Sequence, residues 1–228
     1  MIKRGVSRKN MIKPDKIIRS DRKTLSVGID AFGRITVRAP KRTSDERINA
    51  FLKDKEAWIL KHTQNKAGRQ ALLPSENLNG FTFLLLGETH RLILYNGGKV
   101  RYEKPDILLP SGNAKERLVK WLKENAKRIF SEACTRRAAE MGVTFPSVSV
   151  TSARTRWGSC SYNNALHFTF RLLYAPKDVI DYVIVHELCH IKEKNHSAKF
   201  WSLVGKYCPD YKEKRAWLRS RGYLLHIF

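Results

Sequence analysis

Apolar and polar residues alternate with period two through residues 16–40. Val27 and Ile29, then Ile35 and Val37, stand on either side of Gly33. That pattern predicts two strands joined by a turn. At residue 43 the period changes. Ile48, Phe51, Leu52, Trp58 and Ile59 keep helical spacing over 43–66, and Thr43 or Ser44 can cap the start. "LPSENLNG" (73–80) reads as a loop. Residues 81–110 read as strands broken at Gly87, at Asn96-Gly97-Gly98 and at Pro105.

Residues 113–142 form a long helical pattern that stops at Gly142. "VSVTS" (148–152) is a short strand. Residues 154–176 then predict a hairpin with its turn at "YNNA". Its second strand, 166–171, sets Leu166, Phe168 and Phe170 against His167, Thr169 and Arg171. Pro176 closes that unit, and Asp178 stands where a helix cap belongs. Residues 200–222 complete the pattern as two helices. An α+β chain follows. Residues 1–112 are a strand-rich N-terminal domain with one long helix, and 113–228 are a second domain built on the helix after Asp178.

That helix is apolar nearly all round. Val179, Ile180, Val183, Ile184, Val185, Leu188 and Ile191 cover most directions, so it is buried. It nevertheless carries His186, Glu187 and His190. Burying such groups costs several kcal/mol unless partners satisfy them. Residues four apart share a helix face, ~5–6 Å between Cβ atoms, so two imidazoles can converge on one ion. Glu187 lies about 100° round the helix from His186 and can reach water beside the ion without binding it. This is the HExxH arrangement. Buried, hydrogen-bonded core histidines are the plainer alternative.

A third ligand comes from beyond His190. His196 can return to the ion if the polar stretch 192–195 ends the helix; Glu193 is the competitor. Three histidines with one open position match catalytic zinc, although another divalent metal could serve. Zinc lowers the pKa of its water to about 7, and Glu187 would act as the general base.

Composition sets the rest. Of 228 residues, 42% are hydrophobic and 29% charged, enough for a core. No apolar run reaches the ~20 residues of a membrane span, and the basic start lacks a signal's apolar middle, so a cytoplasmic, non-membrane protein is expected. The four cysteines are scattered and form no scaffold. Net charge is +23. Residues 1–75 alone hold 19 Lys/Arg against 7 Asp/Glu. Such a field attracts polyanions, nucleic acid included; a solvated basic surface is the alternative.

The motifs "RTRWGSC" (154–160), "FRLLYAP" (170–176) and "VIVHELCHIKEKNHSAKFW" (183–201), with the Trp58-Ile59 pair, resemble the YgjP-like metal-dependent hydrolases, predicted metallopeptidases related to the SprT-like zincins. The resemblance runs through most of the chain. It implies a zincin-like catalytic part with a central HExxH helix, in which His186, His190 and His196 hold zinc and Glu187 is catalytic. The histidine spacing also equals that of metzincins, but Glu193 replaces their turn glycine and no methionine follows Met141.

Secondary candidates remain. Arg154 and Arg156 could bind a carboxylate or phosphate of the substrate, or stack on Trp157. Strand 166–171 could pair with an extended peptide, turning His167 and Thr169 to the site, or stay internal. Tyr207, Tyr211 and His226 are candidates for oxyanion support. Cys160 and Cys189 lack the partners of a nucleophile. The leading function is a zinc metallopeptidase acting on peptides or proteins. One alternative is a metal-dependent pyrophosphatase acting on nucleoside triphosphates or other phosphorylated molecules. The other is a nucleic-acid-associated metalloprotease.

Overall fold

The computed structural model describes residues 12–30, 32–64 and 66–228; the basic start up to residue 11 lies outside them. The chain divides into two units, Met1–Leu72 and Leu73–Phe228.

In the first unit, strands β1 (Lys16–Ser20), β2 (Ser26–Ile29) and β3 (Ile35–Pro40) form a sheet in the order β1-β3-β2. Asp30 makes the turn before β3: its Oδ1 accepts the N–H groups of Phe32 and Arg34 at 2.9 and 3.0 Å. Gly33 supplies the positive φ of +75°. Ser44 is the cap, its hydroxyl accepting the Arg47 N–H. The single helix expected over 43–66 is three pieces, α1 (Asp45–Asp54), α2 (Glu56–Thr63) and α3 (Lys66–Gln70). Lys55 breaks the first two apart. The buried stripe nonetheless continues across the break, and Ile48, Leu52 and Ile59 cover Ile35, Val37 and Ala39 of the sheet. Trp58 is off that stripe and exposed.

The second unit begins with β4 (Thr82–Leu85), β5 (Glu88–Tyr95), β6 (Arg101–Glu103) and β7 (Asp106–Pro110), ordered β4-β5-β7-β6. The expected boundary at 112/113 does not coincide with the division at Leu72/Leu73. The reason is packing. Leu86 donates its N–H to Leu173, Phe83 meets Tyr174 edge-on at 5.7 Å, and β7 packs on helix α4 (Ala114–Met141). Leu118, Leu122, Ala126, Phe130, Cys134 and Ala138 recur every fourth residue as the buried stripe of α4. Gly142, at φ +61°, ends it in the left-handed cap and donates to the carbonyls of Ala138 and Ala139.

A second sheet follows, β8 (Val148–Thr151), β9 (Gly158–Cys160) and β10 (Leu166–Thr169), ordered β8-β10-β9. The strand expected over 166–171 ends at Thr169. All of Phe170–Tyr174 is buried, a demand that period-two alternation cannot meet, and these residues form a 3-10 turn. Helix α5 (Lys177–Lys192) starts one residue before Asp178, which sits in its first turn and accepts the Val179 N–H. It is buried along its length and packs against α4, β9, α6 (Ala198–Tyr207) and α7 (Tyr211–Arg221). No helix among the described residues is long and apolar enough to cross a membrane.

Candidate metal centre

The buried helix α5 presents His186 and His190 one turn apart, with ring centroids 5.0 Å from each other. Glu193 ends the helix, its N–H returning to Cys189. The following residues double back until Ser197 caps α6, its hydroxyl accepting the Phe200 N–H. That reversal carries His196 to the pair. Its Nε2 is 3.0 Å from His186 Nε2. One ligand atom from each of the three rings lies within 4.8 Å of the others.

Glu193 stands outside this cluster and contributes its carbonyl instead, which accepts from His190 Nδ1 at 3.1 Å. That bond fixes the tautomer and leaves the Nε2 lone pair free, as a metal ligand requires. Burial lowers the pKa of His190. Burial first, then the charges of His190, His196 and Arg215, pulls His186 down to about 3. These rings are held neutral, the form that binds a cation. Two nitrogens bound to one tetrahedral zinc would lie ~3.3 Å apart, given Zn–N bonds of about 2.0–2.1 Å. The 3.0 Å between His186 and His196 is close to that. The donor set therefore fits a divalent ion.

Phe200 and Trp201 build the surroundings. Phe200 is fully buried, with its ring 4.9, 4.5 and 4.7 Å from those of His186, His190 and His196. Trp201 stacks on the exposed His196 at 5.6 Å. Tyr211 stacks on Trp201 in turn, and Arg215 lies over it at 4.8 Å. The sequence motif contains this Phe-Trp pair, but no periodicity marks it as the wall of a site.

Glu187 is buried at 6% exposure. Burial pushes its carboxyl up to about 8, against the pull of the Cys160 main-chain N–H and of Arg156. Its near neighbour is Gly158 on β9, where any Cβ would come within 2.7 Å of Glu187 Cγ. Pattern reading missed Gly158, because what it provides is empty space. Sheet geometry decides the strand assignment for the internal alternative, since β10 is internal and β9 is an edge strand, as is β8. Thr169 donates to Trp157 and Ser161 to Ala165. Antiparallel alternation then turns Ser159 toward β10 and the main-chain groups of Gly158 and Cys160 outward.

Arg156 is near enough for its charge to act on Glu187, and Arg154 near enough to act on Arg171. His167 is not brought to the histidines. It lies directly across from Ser159 in the ladder, on the sheet face opposite Gly158, and its Nδ1 pairs with Ser149 Oγ at 2.5 Å. Tyr211 reaches the site through Trp201, while His226 packs on Trp157 at 5.2 Å. Tyr207 lies at the far end of α6, under Lys206.

The family model of the YgjP-like metallopeptidase domain matches residues 23–221. Among solved structures, the metallopeptidase zymogen abylysin of Pyrococcus abyssi is similar at 20% identity and a TM-score of 0.37, over 41% of this chain and 95% of that one. The metallopeptidase zymogen jannalysin of Methanocaldococcus jannaschii is similar at 18% identity and a TM-score of 0.34, over 38% and 93%. No curated protein matches the chain.

Proposed function

The chain belongs to the YgjP-like metallopeptidase family, and on that premise we propose that it is a zinc-dependent peptidase with Glu187 as general base. The observation that supports this reading is the convergence of three imidazoles, with the buried carboxyl group of Glu187 next to His186 in the chain. His186, His190 and His196 would hold the ion, and an all-imidazole set suits zinc. When bound, zinc supplies Lewis acidity toward water and the scissile carbonyl.

The remaining work falls to the chain's own groups. Glu187 takes a proton from the attacking water as the new C–O bond forms. It gives that proton to the amine nitrogen as the C–N bond breaks, leaving a carboxylate and an amine. The Cys160 N–H holds the carboxylate, and Arg156 favours its ionised form. The outward main-chain groups of β9 other than the Cys160 N–H can pair with an extended peptide and lay it beside Glu187. The phosphoanhydride reading rests on the +23 charge and on Arg154 and Arg156, and the nucleic-acid-associated reading on the charge.

The test is a screen of wild type and Glu187→Gln against denatured proteins and nucleoside triphosphates. The wild type should cleave peptide bonds, and the variant should lose about 10²–10⁴-fold in rate with its metal content unchanged. Glu187-dependent release of phosphate or pyrophosphate, with peptides untouched, would replace the peptidase reading.

A further inference from the structure

Two buried donors on the 3-10 turn Phe170–Tyr174 have no acceptor. Arg171 and Tyr174 are three residues apart, the spacing at which side chains of such a turn eclipse. They are 4% and 1% exposed. Arg171 Nε and the Tyr174 hydroxyl are both enclosed and make no hydrogen bond. The guanidinium lies over the Phe170 ring at 4.6 Å, and its Nη1 donates to the Ser152 carbonyl at 2.9 Å. Thr169 Oγ1 donates to the Ala153 carbonyl at 2.8 Å. Together these bonds fix residues 152–154 beside the turn.

The loop so fixed carries Arg154. Among the described residues, the charge that acts most on Arg171 is that of this second arginine. A buried guanidinium without a counter-charge is costly, and so is an orphaned hydroxyl. Stacking on Phe170 and the bond to Ser152 account for part of the Arg171 side chain. They leave the Tyr174 hydroxyl and the second cation without a purpose.

We propose that Arg171, Tyr174 and Arg154 form a binding site for an oxyanion, a carboxylate or phosphate group, apart from the three histidines. A guanidinium fork matches the paired oxygens of either group, and the phenol adds a third donor. The source is free inorganic phosphate or the acidic side chain of a peptide. The site does not depend on the peptidase reading, because binding can be measured without turnover.

Isothermal titration and melting curves of the full chain test it, with sodium phosphate and an N-acetylated aspartate peptide as probes and ionic strength held with chloride. One saturable site is expected, with stabilisation beyond that of chloride. Phosphate binding alone names the free ion as the source, and peptide binding names the side chain. Arg154→Ala should weaken binding about tenfold, the loss of one charge-assisted contact. Tyr174→Phe should weaken it several-fold yet match or exceed the wild-type melting temperature in chloride, since it removes an unsatisfied hydroxyl. These two variants carry the test because replacing the buried Arg171 risks the fold. Stabilisation no greater than with chloride, or binding unchanged in both variants, overturns the proposal.

Discussion

Gly158 and Glu187 meet where a side chain would otherwise be. A Cβ at residue 158 would stand 2.7 Å from Glu187 Cγ and 2.8 Å from its Oε1. The edge strand can therefore approach the carboxylate closely enough to donate the Cys160 N–H to it. Gly158→Ala should push the carboxylate aside. A displacement of about 1 Å at a reacting group can cost ~10²-fold, so peptidase activity should fall 10- to 100-fold, roughly. Metal content should not change, because all three imidazoles are elsewhere. Peptide turnover and metal analysis on the same preparation check this.

Lys194 joins the loop that carries His196 to the β9–β10 hairpin. Its Nζ donates to Asn164 Oδ1 at 2.6 Å and reaches the Ser161 and Tyr162 carbonyls at 3.4 Å. It stands two residues before His196. Removing a group that orients a ligand costs about 10–100-fold in metal affinity. Lys194→Ala should fall at the lower end of that range, because its contacts are exposed. A competitive titration with a zinc chelator measures it.

The long elements were readable because their signals are local. The every-fourth-residue stripe of α4 and the left-handed Gly142 after it need no knowledge of the rest of the fold. The histidines of α5 stood out because polar groups interrupted an apolar helix. What stayed hidden depended on partners distant in sequence. Strand alternation through residue 171 was overruled by burial of every residue in Phe170–Tyr174. The four-stranded sheet joins the second unit because Phe83 and Leu86 find Tyr174 and Leu173. Gly158 and Phe200 matter through shape, and shape leaves no periodic trace.

The cysteines should prove chemically quiet. Burial pushes the Cys134 and Cys189 thiols up to about 12 and raises that of Cys160. A thiol must ionise to attack. Cys160→Ser should keep wild-type turnover, because the main-chain N–H and not the thiol holds Glu187. Labelling with a thiol reagent at pH 8 should be slow until the chain is denatured.

An ion pair at the start of α7 gives a pH dependence. Lys214 bonds Asp178 and also Asp210, the latter at 3.0 Å. The Lys214 ammonium, with the Cys208 thiol, holds Asp210 below its ordinary pKa of 3.8. A depressed carboxyl adds stability above its unfolded pKa and loses it as the pH falls through the folded value. Lys214→Met should therefore be less stable than wild type at pH 7, by at most about 1 kcal/mol because solvent screens the pair. The gap should close below the ordinary range. Urea unfolding at pH 7 and pH 2.5, as chosen conditions, gives the comparison.

Zinc titration of the metal-free chain by calorimetry bears most directly on the three-histidine centre. One ion per chain should bind, with affinity lost at least 100-fold, in rough terms, for His186→Ala or His190→Ala, and a smaller but clear loss for the exposed His196→Ala. Zinc bound equally well after all three replacements, or not bound by the folded wild type at all, would contradict the account.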